Sequence, residues 1–322
     1  MASITVIIVN WNGGKLLAEC LRGLDAQTVR PDRILLADNG SSDGSLDLVR
    51  EFRNVTVLEM HENLGFAAAN NRALAACDTE FVAFLNPDAF PASDWLEQLL
   101  AAADARPDVA SFGSRQMRHG TPGVLDGIGD VYHMSGLAWR DRYGERQQPG
   151  DLVAREIFSP CAAAAMYRRQ ALVAIGGFEE DFFCYLEDVD LGFRLRLAGH
   201  KAMYVPDAVV HHVGSAATGG QNSNFAVYHG FRNQVWTFVK NMPGALFWLL
   251  LPLHIVLNLA SIAVFTMGGQ GKVILKAKWD ALLGVPRMWR KRKSIQAERI
   301  ASSSAIWRIL DKRVLKTGRG SN

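Results

Sequence analysis

The chain has 322 residues, 49% of them hydrophobic and 21% charged, and carries a formal net charge of +3. This composition excludes a disordered, collagenous or disulfide-stapled protein, and the length suffices for one large α/β domain with an appendage. The four cysteines form no C-x-x-C pair, so reduced thiols are expected rather than a zinc site.

Short strands alternate with helices along the first part of the chain. Apolar, β-branched runs predict strands at residues 4–9, 33–37, 55–59, 81–85 and 109–113, and the segments between them predict helices at 16–26, 45–52, 67–76 and 93–105. This order predicts an α/β fold with a mostly parallel sheet, because right-handed helical crossovers join parallel strands. No basic segment precedes the first apolar run, so no export signal is predicted and the chain is expected to start in the cytoplasm.

The segment that follows, residues 114–156, is rich in glycine and charge. Its weak periodicity favours loops or short antiparallel strands that lie over the site. Residues 168–175 are predicted to form a further helix.

Polar side chains follow the ends of the predicted strands. They are Asn10, Asn12, Asp38, Asn39, Asp43, Asn63, Asn86 and Asp88. In an open parallel sheet, ligands bind beyond the carboxyl ends of the strands, where loop amides and helix N-termini converge. The sequence therefore predicts a polar binding site at that edge of the sheet.

Asp88 closes the run Asn86-Pro87-Asp88 at the end of an apolar strand. A carboxylate at this edge is suited to a divalent ion that neutralises a departing diphosphate. An Asx turn or helix cap after the strand is the competing interpretation.

Three carboxylates occur within the four residues Glu187-Asp188-Val189-Asp190, directly after aromatic residues. Acids packed beside aromatic rings are candidates for general bases with shifted pKa values. Simple stabilisation of a helix N-terminus by acidic residues is the alternative.

Two histidines, His211 and His212, end another apolar run. One of them could be a neutral imidazole ligand to an ion bound by Asp88. A satisfied structural histidine is the alternative interpretation.

Together these segments resemble a known family. The motifs are Val-Asn-Trp-Asn (9–12), Asp-Asn-Gly-Ser-Ser-Asp-Gly (38–44), Asn-Leu-Gly-Phe-Ala-Ala-Ala-Asn-Asn (63–71), Leu-Asn-Pro-Asp (85–88) and Gly-Gly-Phe-Glu-Glu-Asp-Phe-Phe-Cys-Tyr-Leu-Glu-Asp-Val-Asp-Leu (176–191). In this order they resemble the family 2 glycosyltransferases, in particular the bacterial rhamnosyltransferase-like branch that acts in cell-wall or surface-polysaccharide synthesis. The likeness covers about residues 3–240.

The resemblance implies a GT-A fold, Rossmann-like with flanking helices, and a metal-dependent, inverting transfer from a nucleotide-diphospho-sugar. By this likeness, Asn10, Asn12 and Asp38 hold the nucleotide base and ribose. Asp88 and His212 are the expected ligands of Mg²⁺ or Mn²⁺, and Asp188 is the expected catalytic base. The further substrate-binding candidates are Asn63, Asn86, Glu187 and Arg232, the arginine facing a phosphate or the acceptor diphosphate.

This sequence departs from the family pattern at two points. Asn86 replaces the first acid of the Asp-x-Asp motif, although Asn-Pro-Asp is frequent in this branch. Glu179 stands where the motif usually has aspartate, which leaves its role open. The family's downstream histidine lies in a context that here ends Ala217-Thr218-Gly219-Gly220.

Charge divides the chain into two parts, and we take residues 1–240 as the catalytic domain and 241–322 as a membrane-associating helical region. Residues 1–240 hold 21 Lys and Arg against 29 Asp and Glu, whereas residues 241–322 hold 14 against 3. Residues 241–271 contain no charged side chain, and residues 245–267 are long enough to cross a bilayer.

A single span through residues 245–267 would place the whole basic tail outside, against the positive-inside tendency. His254, Asn258 and Ser261 form one polar seam, so a re-entrant or in-plane helix is favoured. The residues expected to attract anionic lipid headgroups are Arg287, Arg290, Lys291, Arg292 and Lys293. A buried helix with a solvated basic face is the alternative.

The expected protein is thus a peripheral or monotopic enzyme on the cytoplasmic face of the bacterial inner membrane. Its donor is a dTDP- or UDP-linked sugar and its acceptor a polyprenyl-diphosphate-linked saccharide. No nucleic-acid partner is expected, because the large domain is acidic and no reading module is present; self-association is left open. The rival hypotheses are a processive polysaccharide synthase, a non-catalytic nucleotide-sugar-binding protein and a nucleotidyltransferase.

Overall fold

The computed structural model describes residues 2–214, 220 and 222–313. Its first half contains β1 (Ile4–Asn10), α1 (Gly14–Asp25), β2 (Arg33–Asp38), α2 (Ser45–Val49), β3 (Val55–Glu59), α3 (Gly65–Ala75), β4 (Phe81–Leu85), β5 (Ala89–Pro91), α4 (Trp95–Ala105) and β6 (Val109–Arg118). The five predicted strands and four predicted helices are confirmed. Helix α2 ends at Val49, three residues before the predicted end, and β6 extends to Arg118.

The second half begins with short strands, as the weak periodicity of residues 114–156 suggested. Its elements are β7 (Leu125–Gly127), β8 (Asp130–Tyr132), β9 (Ala138–Arg140), β10 (Arg155–Glu156), β11 (Ala164–Arg168), α5 (Arg169–Ala174), α6 (Glu187–Leu197), β12 (Lys201–His212), α7 (Asn224–Asn241), α8 (Gly244–Met267), α9 (Gly271–Ala297) and α10 (Ser303–Ile309). Two 3₁₀ turns lie at Pro149–Leu152 and Glu180–Phe182.

One sheet organises residues 1–240, the predicted catalytic part. Its strand order is β10-β12-β6-β11-β4-β1-β2-β3, with β5 paired to β12 and β7 paired to β6. Strands β3, β2, β1 and β4 are mutually parallel, and so are β6 and β12. Strand β11 runs antiparallel between β4 and β6, an insertion that the strand–helix alternation did not reveal. The predicted α/β architecture with flanking helices is confirmed.

Both faces of the parallel strands are covered, which explains why these strands are apolar at successive positions. Ile4, Val6 and Ile8 of β1 pack with α1 and α4 on one face. Ile7 and Val9 point to the opposite face and pack with α3. Double burial fixes the strand positions, so the polar residues that follow them come together at one edge.

The C-terminal helices share a third hydrophobic cluster with the catalytic part. Tyr132, Phe158 and Phe193, together with residues of α7, meet residues of α8, α9 and α10 in this cluster. Helix α9 lies close against α7 at Gly284, where an added Cβ would be 2.5 Å from the ring of Trp236. Residues 241–322 are therefore packed on the catalytic part over the described region.

Helix α8 is apolar and yet largely uncovered. Of its most hydrophobic 18-residue window, 17% is buried. By length and composition α8 could cross a bilayer, and within the described residues it is the one helix that meets this test. Its polar seam faces the protein: His254 Nδ1 lies 2.8 Å from the carbonyl oxygen of Ser135, and Asn258 Oδ1 accepts from Lys278.

Several basic side chains of helix α9 bind groups within the protein. Arg287 contacts Asp181 at 3.0 Å, and Lys291 lies 2.8 Å from the same carboxylate. Arg292 is buried and donates to the carbonyl oxygens of Val239 and Met242. The expectation that Arg292 faces lipid headgroups is therefore wrong, because its guanidinium satisfies the C-terminal carbonyls of α7 instead.

Candidate active site

A cavity of about 960 Å³ opens at the carboxyl ends of β1 and β4. Eight of the residues predicted from the sequence line it: Asn12, Asn39, Asn63, Asn86, Asp88, Glu187, Asp188 and His212. Asn10 and Asp38 are buried beside it, and Arg232 is outside its lining. Its volume lies within the range of small-molecule sites.

Asn10 and Asp38 organise the loop between β2 and α2. The side-chain nitrogen Nδ2 of Asn10 donates to Asp38 Oδ1 at 2.9 Å and to the hydroxyls of Ser41 and Ser45 at 3.0 and 2.9 Å. Asp38 Oδ2 accepts from the backbone N–H of Ser41 at 3.0 Å. These two buried residues hold in place the loop that follows β2, next to the cavity.

Asn12 and Asn63 lie at the cavity rim itself. Asn12 adopts a left-handed backbone conformation (φ 55°), and its side chain accepts from the N–H of Ser42 at 2.9 Å. Asn63 accepts from the N–H of Gly65 at 3.0 Å, where α3 begins. Both side chains fix backbone amides of the rim.

Asp88 and His212 meet at the floor of the cavity. Strand β5 pairs with β12 so that Ala89 faces His212, and this register brings the preceding Asp88 to the imidazole. Asp88 Oδ1 lies 3.2 Å from His212 Nε2, and Asn86 Nδ2 lies 3.4 Å from the same nitrogen. The segment Ala217-Thr218-Gly219 of the family motif lies outside the described residues.

Asp126 was missed by sequence reasoning. It lies on β7, which pairs with β6 next to β12, and its Oδ2 is 2.7 Å from His212 Nδ1. Arg140 also binds this carboxylate. A carboxylate on Nδ1 leaves Nε2 as the ligand atom, the arrangement found behind metal-binding histidines. The sequence signal was weak, a lone acid in a glycine-rich segment, and only the sheet pairing shows its partner.

The electrostatics of this pair follow from its partners. Burial disfavours the charged imidazole, but hydrogen bonds to Asp126 and Asp88 raise the pKa of His212 to about 8. Burial likewise opposes ionisation of Asp88, yet the hydrogen bond from His212 keeps the pKa of that carboxyl below its ordinary value. A cation bound between Asp88 and His212 would displace the proton from Nε2.

The three acids at the start of α6 have three different environments. Asp190 is fully buried and pairs with Lys240 at 2.9 Å and with Arg194 at 2.8 Å, so it is structural. Glu187 is buried, and burial together with the nearby Asp188 raises its pKa well above the usual value. Asp188 lines the cavity. Simple helix capping therefore does not account for this cluster.

Asp188 receives two backbone donors. Its Oδ2 accepts from Ala162 N–H at 3.2 Å, and its Oδ1 accepts from its neighbour Val189 at 2.8 Å. Ligand atoms of Asp188, Asp130 and Cys161 lie within 4.8 Å of one another, which makes this group a second possible metal site. Burial raises the pKa of the Cys161 thiol well above its ordinary value, so it is a poor ligand for a hard cation. Asp88 and His212 fit a divalent ion better.

The loop that leads into Asp188 is strained. Phe183, Tyr185 and Leu186 all have φ between 64° and 66°, a region that non-glycine residues rarely occupy. Asn233 of α7 is fully buried and donates to the carbonyl oxygens of Phe182, Cys184 and Tyr185 at 3.0, 2.9 and 2.8 Å. Packing of α7 against this loop thus sets the direction in which α6 begins.

Arg232 supports the same loop. Its Nη2 donates to the carbonyl oxygens of Asp181 and Phe182 at 3.3 and 2.9 Å, and its guanidinium lies 4.4 Å from the centre of the Trp236 ring. It lines a separate hollow of about 350 Å³ between α7 and α9. The predicted contact of Arg232 with a substrate phosphate stays a prediction.

A largely parallel sheet carries an acid and an imidazole at its carboxyl edge, and a further acid lines the same cavity. This arrangement suits a glycosyltransferase of the GT-A type. Residues 5–176 match the family Glycosyl transferase family 2, and the chain belongs to that family.

Curated relatives agree with this membership. An N-acetylglucosaminyl-diphospho-decaprenol L-rhamnosyltransferase from Mycobacterium tuberculosis is 32% identical over 260 residues, covering 70% of this chain and 81% of the relative. The O-antigen chain rhamnosyltransferase RfbN of Salmonella typhimurium is 26% identical, covering 65% of this chain and 66% of the relative.

Solved structures share the fold. A mannosyltransferase from Pyrobaculum calidifontis, in complex with GDP-Man and Mn²⁺, matches 96% of this chain and 87% of its own with a TM-score of 0.57 and 20% identity. Residues 1–349 of Staphylococcus aureus TarS match 92% of this chain and 87% of that one with a TM-score of 0.58 and 18% identity.

Replacing Asn233 tests whether it restrains the strained loop. We expect Asn233→Ala to lower the free energy of unfolding by about 1–3 kcal/mol, because buried carbonyl groups lose their donor. Asn233→Asp should cost more, since a carboxylate faces three carbonyl oxygens. Chemical denaturation measures both, with exposed Asn222→Ala as the control; equal stability of all three variants would contradict the assignment.

Proposed function

We propose that the chain is an inverting glycosyltransferase that moves a sugar from a nucleotide-diphospho-sugar to a polyprenyl-diphosphate-linked saccharide. The observation that carries the proposal is that Asp188 and the Asp88–His212 pair line one cavity. Inverting transfer needs a base for the acceptor hydroxyl and a stabilised diphosphate leaving group, and these groups supply both.

The identity of the substrates is inferred from the relatives. Two relatives are named rhamnosyltransferases, which points to rhamnose as the sugar. The name of the mycobacterial one specifies L-rhamnose and includes a decaprenyl diphosphate acceptor. We propose in addition a dTDP- or UDP-linked donor and a role in cell-wall or surface-polysaccharide synthesis. The loop shaped by Asn10 and Asp38, with Asn12 and Asn63 at its rim, is the proposed site for the nucleotide.

Asp188 is the proposed base. The amide donors from Ala162 and Val189 stabilise its ionised form, and its place at the cavity wall gives it access to an acceptor hydroxyl. In the transfer, the hydroxyl proton passes to Asp188 as the oxygen bonds to the anomeric carbon. The bond from that carbon to the diphosphate breaks, and its electron pair leaves with the diphosphate.

Asp88 and His212 are the proposed ligands of Mg²⁺ or Mn²⁺. The bound ion would neutralise charge on the departing diphosphate. Asp126 orients the imidazole through Nδ1, and Arg140 in turn binds Asp126. Asn86 and Glu187 line the cavity beside these groups and remain proposed substrate contacts.

We also propose that the C-terminal helices lie on the cytoplasmic face of the membrane. Trp248 and Leu249 of α8 and Trp279 and Leu282 of α9 are all more than 60% exposed, so they present an apolar surface. Arg290 and Lys293 of α9 are exposed as well. Because the polar seam of α8 contacts the catalytic part at Ser135, one side of this helix is covered by protein. An in-plane arrangement accommodates that contact, and it brings the cavity near a lipid-linked acceptor.

Asp188→Asn tests the base. We expect turnover to fall by a factor of about 10² to 10⁴, since the amide does not accept the proton, while nucleotide binding is unchanged. Initial rates and isothermal titration with the nucleotide give the two readouts. Exposed Asp207→Asn is the matched control, and wild-type turnover in Asp188→Asn would reject the role.

Asp126→Asn tests the ion site. We expect the affinity for Mn²⁺ to fall about 10- to 100-fold, because the amide no longer fixes the imidazole as a carboxylate does. Titration of Mn²⁺ into chelator-treated protein measures this, with exposed Asp104→Asn as the control. Full activity in chelator, or unchanged Mn²⁺ affinity in both Asp88→Asn and Asp126→Asn, would refute metal binding at this pair.

Vesicle binding tests the membrane surface. Trp248→Glu and Trp279→Glu should each weaken binding to vesicles that contain anionic lipid by about tenfold or more, since the burial of one large apolar side chain is lost. Co-sedimentation measures the bound fraction. Val173→Glu, an exposed apolar position on α5, should bind as wild type; equal binding by all variants would exclude α8 and α9 as the contact surface.

A further inference from the structure

A second carboxyl group lies beside the proposed base. Asp130 begins β8, lines the same cavity and is 7% exposed. Its Oδ2 has no hydrogen-bond partner among the described residues, although its backbone N–H donates to the carbonyl of Ser159 at 2.8 Å. An unpaired oxygen this deeply buried is costly as a carboxylate and needs a proton or a ligand.

Asp130 and Asp188 differ in the hydrogen bonds that their carboxyl groups accept. A carboxylate oxygen of Asp130 and one of Asp188 lie within 4.8 Å of each other, which is too close for both groups to ionise without strong repulsion. Asp188 accepts two backbone N–H groups, whereas Asp130 Oδ2 accepts none. The negative charge of the pair is therefore more stable on Asp188.

We propose that Asp130 and Asp188 work as a carboxyl pair in which Asp130 keeps its proton and Asp188 carries the charge, so that Asp130 is a positioning residue for the base. This inference rests on the proposed role of Asp188. During transfer the acceptor proton goes to Asp188 while Asp130 stays neutral. Both acids are then protonated, and one proton returns to solvent after the products leave.

The surroundings of Asp130 agree with a neutral acid. The ionisable groups that face it are Asp188, Asp126, Glu187, Arg140, Cys161 and Tyr167. Arg140 favours ionisation, but it is already bound to Asp126. Burial, followed by the charge of Asp188, raises the pKa of Asp130 well above its ordinary value.

Infrared spectroscopy tests the proton directly and does not depend on turnover. A difference spectrum of wild type minus Asp130→Asn near neutral pH should show the carbonyl band of a protonated carboxylic acid. Wild type minus Asp188→Asn should show carboxylate bands instead. If the first difference shows a carboxylate, Asp130 is ionised and the pair is overturned, whatever the fate of the proposed function.

Kinetics test the positioning role. Asp130→Ala should reduce kcat by about tenfold or more, and Asp130→Asn should recover most of that loss, because a neutral donor is restored. The acid limb of the kcat profile in Asp130→Asn should stay within about half a pH unit of wild type. A shift of this acid limb to lower pH by one unit or more would mean that Asp130 is charged in the wild type.

Two further results would also overturn the proposal. A loss in Asp130→Asn as large as that in Asp188→Asn would make Asp130 the base itself. A weakened Mn²⁺ affinity in Asp130→Asn would make it a metal ligand. Thermal unfolding with and without nucleotide verifies that each variant is folded before it is assayed.

Discussion

The cost of burying carboxyl groups organises this site, because every acid around the cavity must have a counter-charge, amide donors or a proton. Asp88 and Asp126 share His212, and Asp190 pairs with Lys240. Asp188 instead receives only neutral amide donors. An acid held by neutral donors can take up a proton without breaking an ion pair, which is a property that a base requires.

The same constraint joins the C-terminal helices to the chemistry. Lys240 of α7 is fully buried between Glu179 and Asp190, and Lys291 of α9 reaches Glu179 and Asp181. Glu179, whose role the motif left open, is thus an anchor for both helices. The helices that carry the exposed apolar surface are in this way joined to the loop that precedes the proposed base, so they form part of the support of the site.

Most of the fold, and the gathering of most candidate residues at one cavity, could be predicted from the sequence. The doubly covered strands were recognisable because burial on both faces makes every position apolar, and their parallel order followed from the helices between them. Eight predicted residues line the cavity, and the five that follow β1 to β4 do so because polar residues after parallel strands share one edge. Strand β11, by contrast, reverses direction in the sheet, and an apolar run of five residues does not reveal its direction.

The misses have a common cause. Asp126 and Asp130 come from short strands in a glycine-rich segment, and their importance lies in neighbours that are distant along the chain. Arg292 lies in a basic segment that is typical of a lipid-binding surface, but its side chain is buried against the end of α7. Asn233, next to Arg232, carries no sign in the sequence that it binds three carbonyl oxygens of a strained loop.

The sequence by itself determined the class of fold, the edge of the sheet where the site forms and the family to which the chain is similar, because these depend on local periodicity and ordered motifs. Only the tertiary structure decided how Glu187, Asp188 and Asp190 divide their tasks. Their side chains are chemically alike. The donors, cations and burial that distinguish them come from three elements, α7, β8 and the loop that precedes β11, and these elements meet only in the folded chain.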